Sequence, residues 1–111
     1  MAYLRKEKET IEIEQPTGKV WSSIQEALRE IEWTIEEVDS EVHHVKAKTK
    51  STFMSYGSVI LIDVFFVDKK TTRVSISAET PVTTITSVFD FGRTQERIDL
   101  FLQQLSKQLK T

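Results

Sequence analysis

Val59-Ile60-Leu61-Ile62-Asp63-Val64-Phe65-Phe66-Val67 is the most apolar run in the chain, and Asp68-Lys69-Lys70-Thr71 closes it. A short run of β-branched and aromatic residues bounded by a turn reads as a central strand. One face carries Ile60, Ile62, Val64 and Phe66. The other carries Val59, Leu61, Asp63, Phe65 and Val67. Thr72 to Thr80 then returns with Val74, Ile76 and Ala78 inward and Arg73, Ser75, Ser77 and Glu79 outward. Period-two alternation on both sides of a polar turn specifies an antiparallel hairpin.

Upstream, Trp33-Thr34-Ile35-Glu36-Glu37-Val38 alternates and then slips register, which places a bulge near Glu36–Glu37. Asp39-Ser40 is the next turn. Glu41 to Thr49 follows as a strand, with His43, Val45, Ala47 and Thr49 on one face and His44, Lys46, Lys48 on the other, continued by Lys50. Thr10-Ile11-Glu12-Ile13-Glu14 is the first strand, and residues 1–9 before it are read as a flexible lead-in.

Two segments carry helical periodicity. Val20, Trp21, Ile24, Ala27, Leu28 and Ile31 form one stripe, with Thr17 placed to cap it. Ile98, Phe101, Leu102, Leu105 and Leu109 form the second, and Leu100 lies off it. The element order is therefore β-α-β-β-β-β-α in a single domain spanning 1–111. Four consecutive strands make a meander, and the first strand joins its far edge in the order 1-5-4-3-2. Both helix stripes must bury, so the expected architecture is an α+β two-layer sandwich, a five-stranded antiparallel sheet with two helices on one face.

Composition narrows the function. The chain has 111 residues and a net charge of -2, which excludes a strongly basic nucleic-acid binder. It has no cysteine, so disulfides and thiolate metal sites are excluded. His43 and His44 are neighbours on a strand and point to opposite faces, a poor arrangement for gripping one metal. The row His44, Lys46, Lys48, Lys50 has no interleaved aromatic to stack a base, and lysines commonly protect exposed strands from pairing. Asp63 sits among apolar residues, where a charge needs a partner: a cross-strand lysine, Arg73 or a ligand. Asp90-Phe91-Gly92 stands without the companion motifs of a kinase and is read as the opening of the last helix. No nucleophile–base pair, metal set or cofactor motif emerges, so no catalytic residue is assigned. No apolar leader or membrane-length run is present, and the expected location is the cytoplasm.

Two binding surfaces are expected. Val59, Leu61, Phe65 and Val67 point away from the helices. A contiguous apolar face of that kind calls for cover by a second copy, another protein or the apolar-rich segment Pro81–Gly92. Trp21, Trp33, Ile62, Phe66 and Phe101 instead lie between sheet and last helix, where they would line a pocket for an apolar small molecule or serve as core. A small non-enzymatic interaction domain, homodimeric through the outer sheet face, is the leading reading. Binding of a hydrophobic small molecule or lipid is the alternative.

Pro16-x-x-x-Val20-Trp21 at the start of helix one, followed by a meander and a long final helix, resembles the helix-grip family of Bet v 1 and START-related proteins. The β-α-β4-α order is also similar to the TATA-binding-protein-like topology. Phe89-Asp90-Phe91-Gly92-Arg93-Thr94 before Ile98 and Phe101 resembles the ending of small prokaryotic domains of unknown function. The helix-grip resemblance implies a curved sheet and final helix enclosing an apolar ligand. The chain lacks the glycine-rich loop of the plant allergens, and no binding residue is carried over from them.

Overall fold

The computed structural model describes residues 3–49, 57–82 and 93–110. Strand β1 (Tyr3–Ile13) leads into helix α1 (Thr17–Glu30). The meander β2 (Thr34–Asp39), β3 (His44–Lys48), β4 (Val59–Asp68) and β5 (Thr71–Val82) follows, and helix α2 (Arg93–Leu109) ends the chain. All strand pairs are antiparallel, in the order β1-β5-β4-β3-β2. This is the expected α+β sandwich with both helices on one face.

The core forms because three periodicities meet. Val45 and Ala47 from β3, Ile60, Ile62 and Val64 from β4, and Val74, Ile76 and Ala78 from β5 share the inner face and are buried. Val20, Ile24, Ala27 and Leu28 from α1 and Ile98, Phe101 and Leu105 from α2 close over them. Each fully buried valine, leucine, isoleucine or phenylalanine among them contributes about 1.5–3 kcal/mol through removal from water.

Both helices have definable ends. Pro16 occupies the N-cap of α1 in an extended conformation (φ -60, ψ 146), and no side chain caps the helix. Thr17, expected as the cap, is already helical. Its Oγ1 lies 3.1 Å from Thr72 Oγ1, and the Thr72 hydroxyl donates to Gln15 C=O at 2.8 Å. Buried Thr72 thus fastens the start of α1 to β5. At the other end, Glu32 N–H donates to Arg29 C=O and Trp33 N–H to Leu28 C=O. That is a Schellman ending, with Glu32 in the left-handed position at φ 61.

Four expectations are corrected. Tyr3–Glu9 is part of β1, paired with β5 from Tyr3↔Val82 onward, and is not a lead-in. Its charges hid it: Glu9 stands on the inner face opposite Ile76, so no apolar alternation marks that stretch. Second, β3 starts at His44, because residues 41–43 are turn and His43 is left-handed at φ 53. Third, Thr17 does not cap α1. Fourth, Phe66 is opposite buried Thr72 in register yet largely exposed, since β4 runs on past the end of its pairing with β3 at Asp63. The bulge expected near Glu36–Glu37 is present between Ile35 and Glu37.

Candidate functional site

β1 is an edge strand, and α2 runs beside it. Ile11 and Ile13 project to the inner face opposite Val74 and Thr72. Leu102, Leu105 and Leu109 meet them from α2, three and four residues apart and so on one side of the helix. Between these elements lies an open groove of about 500 Å³. Leu105 is fully buried at its floor, whereas Ile11, Ile13, Leu102 and Leu109 are only half-buried. Glu12, Glu14, Gln15, Ser106 and Lys110 form a polar rim. The groove exists because no described strand lies beyond β1 at the sheet's edge while α2 covers only part of its inner face.

A polar cluster occupies the other end of α2. Thr49 and Ser58 are buried where β3 ends and β4 begins. Thr49 N–H donates to Ser58 C=O at 3.0 Å, and Ser58 N–H donates to Thr49 Oγ1 at 2.8 Å. Arg97, half-buried on α2, donates to Ser58 Oγ. Nearby, Gln95 Nε2 lies 3.4 Å from Glu9 Oε2 and 3.1 Å from Asp99 Oδ1. The last helix is therefore polar against the sheet at its start and apolar against it at its end.

No family model matches the sequence, and no curated protein matches it. Solved structures do match. Norcoclaurine synthase from Thalictrum flavum superposes with a TM-score of 0.69 at 11% identity, covering 96% of this chain and 86% of that one. Ara h 8.0201 gives 0.67 at 8% identity, over 98% of this chain and 100% of that one. An aromatase/cyclase from Streptomyces sp. R1128 gives 0.62 at 10% identity, over 96% and 88%. The fold is the helix grip. At these identities the likeness concerns the fold alone.

Within this helix grip the residues expected to line a pocket are scattered. Ile62 and Phe101 are completely buried in the core. Trp33 is half-buried and stacks on Phe101, with centroids 6.4 Å apart and planes at 19°. Trp21 is half-buried and has its ring contact elsewhere, 5.0 Å from the His43 ring. Phe66 is outside altogether. The groove residues on β1 and α2 were visible in the sequence as the Ile11/Ile13 alternation and the Leu102–Leu109 stripe. What periodicity could not show was that the two stripes meet with space left between them.

The outer face of the helix-grip sheet is a set of cross-strand rows. Val59 lies between Lys48 and Glu79, and Leu61 between Lys46 and Ser77. Polar side chains flank both residues, with a lysine stem beside each, and both are half-buried, so the apolar face is broken up there. Phe65 and Val67, further along β4, are exposed. The segment 83–92, considered as cover for this face, lies outside the described residues, as does Lys50. The partner of Asp63 is neither Arg73 nor a lysine: His44 Nδ1 lies 2.7 Å from Asp63 Oδ1 across the β3–β4 pair. Arg73 is engaged by Glu12 at 2.9 Å. Among the described residues no group of three His, Asp or Glu side chains is placed to hold a metal ion, and no helix is long and apolar enough to cross a membrane.

Proposed function

We propose that this domain is a non-enzymatic binding protein for an apolar small molecule or lipid chain, held along the groove between β1 and α2. The observation that carries the reading is the groove itself. Its volume of about 500 Å³ falls within the range of about 300–1,000 Å³ usual for small-molecule sites. Half-buried isoleucines and leucines line its walls, and burying their remaining surface against a ligand would be favourable by roughly 25 cal/mol per Å². The polar rim would orient a ligand by its head group. The helix-grip relatives lend support at the level of fold: the norcoclaurine synthase structure contains dopamine and hydroxybenzaldehyde. Fold alone does not transmit activity. The non-enzymatic part of the reading rests on aliphatic walls: the rim carboxylates Glu12 and Glu14 are exposed, and Glu12 is engaged by Arg73.

The test is a thermal-unfolding series with dodecanoate, dodecanol and 2-naphthol as probes. A bound probe at a hundredfold excess over its Kd stabilises the native state by about 2.7 kcal/mol. At least one probe is expected to raise Tm, and Ser106→Trp, which fills the groove from the exposed side of α2, is expected to abolish the rise. Unchanged Tm with every probe, or a rise that survives Ser106→Trp, would overturn the proposal.

A further inference from the structure

The two walls of the β1–α2 groove change character in the same direction. On the inner face of β1 the residues run Glu9, Ile11, Ile13, opposite Ile76, Val74 and Thr72. Gln15 follows at the rim. On the other wall Asp99, Leu102, Ser106 and Lys110 succeed one another at spacings of three and four residues, and so lie on one side of the helix. Lys110 N–H donates to Lys107 C=O at 3.3 Å, which holds Lys110 against the last turn of α2. Both walls are acidic at one end, where Gln95 Nε2 donates to Glu9 Oε2 at 3.4 Å and to Asp99 Oδ1 at 3.1 Å. Both are aliphatic in the middle. At the far end β1 offers a neutral amide and α2 offers a lysine.

The other charges at the rim do not cancel that lysine. Glu12 stands opposite Arg73 on the outer face and is engaged by it at 2.9 Å. Glu14 is exposed just past the end of β1 and also borders the cleft that carries Lys69 and Lys70. Lys110 is exposed and is paired with no carboxylate among the described residues. The groove therefore has one acidic end and one cationic end. Leu102 and Leu109 set the apolar length between them, about 10 Å along the axis at a rise of about 1.5 Å per residue. An extended chain advances about 1.2 Å per bond, so about nine carbons fill that length.

We infer that the ligand of this groove is a medium-chain anionic amphiphile, a carboxylate or sulfate monoester of about ten carbons. Its head sits at Lys110 and its tail runs toward Leu102 and Ile11. The inference rests on the groove being the binding site. The reverse orientation sets the anion beside Glu9 and Asp99, and a cationic head at Lys110 meets like charge. A longer tail strips water from those two carboxylates, which is costly. The cationic end is open, so the head keeps much of its water and Lys110 contributes as a screened surface partner, a few-fold in affinity.

Isothermal titration of the full chain tests this with decanoate, decanol and decyltrimethylammonium, each below its micellar concentration, and circular dichroism verifies that each variant is folded. Decanoate is expected to bind. Affinity should rise about two- to fourfold per carbon from hexanoate to decanoate and level off by tetradecanoate. Lys110→Glu should weaken decanoate about fivefold, strengthen decyltrimethylammonium by a similar factor and leave decanol unchanged. Opposite signs for the two charged probes separate a charge effect from a loss of structure, and added salt should shrink both shifts. If decanol binds while Lys110→Glu moves neither charged probe, or moves both the same way, the inference falls and the groove reading stands. A gain that continues through tetradecanoate also overturns the inference alone. If none of the probes binds, both fall together.

Discussion

β4 is two regions joined end to end. From Val59 to Val64 it alternates between half-buried and buried residues, because β3 and β5 flank it and both helices lie above. From Phe65 to Asp68 every residue is exposed, although Phe65, Phe66 and Val67 are as apolar as anything before them. The composition of the strand does not change at residue 65; its surroundings do. An apolar side chain is buried only as far as neighbouring elements reach, and here β3 ends before β4 does.

Three tests placed along this strand should therefore differ in steep order. Ile62→Ala removes a completely buried side chain beneath the helices, and a loss of about 2–5 kcal/mol is expected in urea unfolding. A loss below 1 kcal/mol would erase the distinction between the two halves. At the boundary, the His44–Asp63 pair has side chains 28% and 44% exposed, so solvent screens it. A double-mutant cycle with His44→Gln and Asp63→Asn should give a coupling below about 1 kcal/mol. Phe66→Ser should have the smallest effect, within about 0.5 kcal/mol. Measuring all three in one buffer sharpens the contrast, since only burial and not hydrophobicity predicts that order.

The sequence made most of the fold legible because burial leaves periodic marks. The β4–β5 hairpin, the stripe from Val20 to Leu28, the stripe from Ile98 to Leu109 and the slip after Ile35 all follow from it. Tyr3–Glu9 was hidden because a strand whose inner face carries Glu9 has no apolar period to detect. Thr17 looked like a cap, but Pro16 took that position and the Thr17 hydroxyl turned to Thr72. The sites were harder to read. Trp21, Trp33, Ile62, Phe66 and Phe101 are all large and apolar and share inward-facing registers. Pattern alone cannot separate the packed pair Ile62 and Phe101 from Phe66, which lies beyond the cover. Likewise, the Lys46/Lys48 row and the Val59/Leu61 row were each visible, but only the β3–β4 register puts them side by side.

The strand order also sets the sequence of events by which the domain comes together. Among the described residues β1 pairs only with β5, whose residues lie roughly 60–80 positions further along the chain. The four strands of the meander are each close in sequence to the next, β2–β3 and β4–β5 through short turns and β3–β4 through residues 49–58, so each pairing closes a small loop. β1 is synthesised before its partner exists and must wait. During that wait its charged residues Arg5, Lys6, Glu7, Lys8 and Glu9 keep an unpaired strand in water, where an apolar one would invite aggregation. The lack of alternation that conceals β1 from sequence reading is thus also what lets it be the last strand to dock, and the docking of β1 is the step expected to limit the rate of folding.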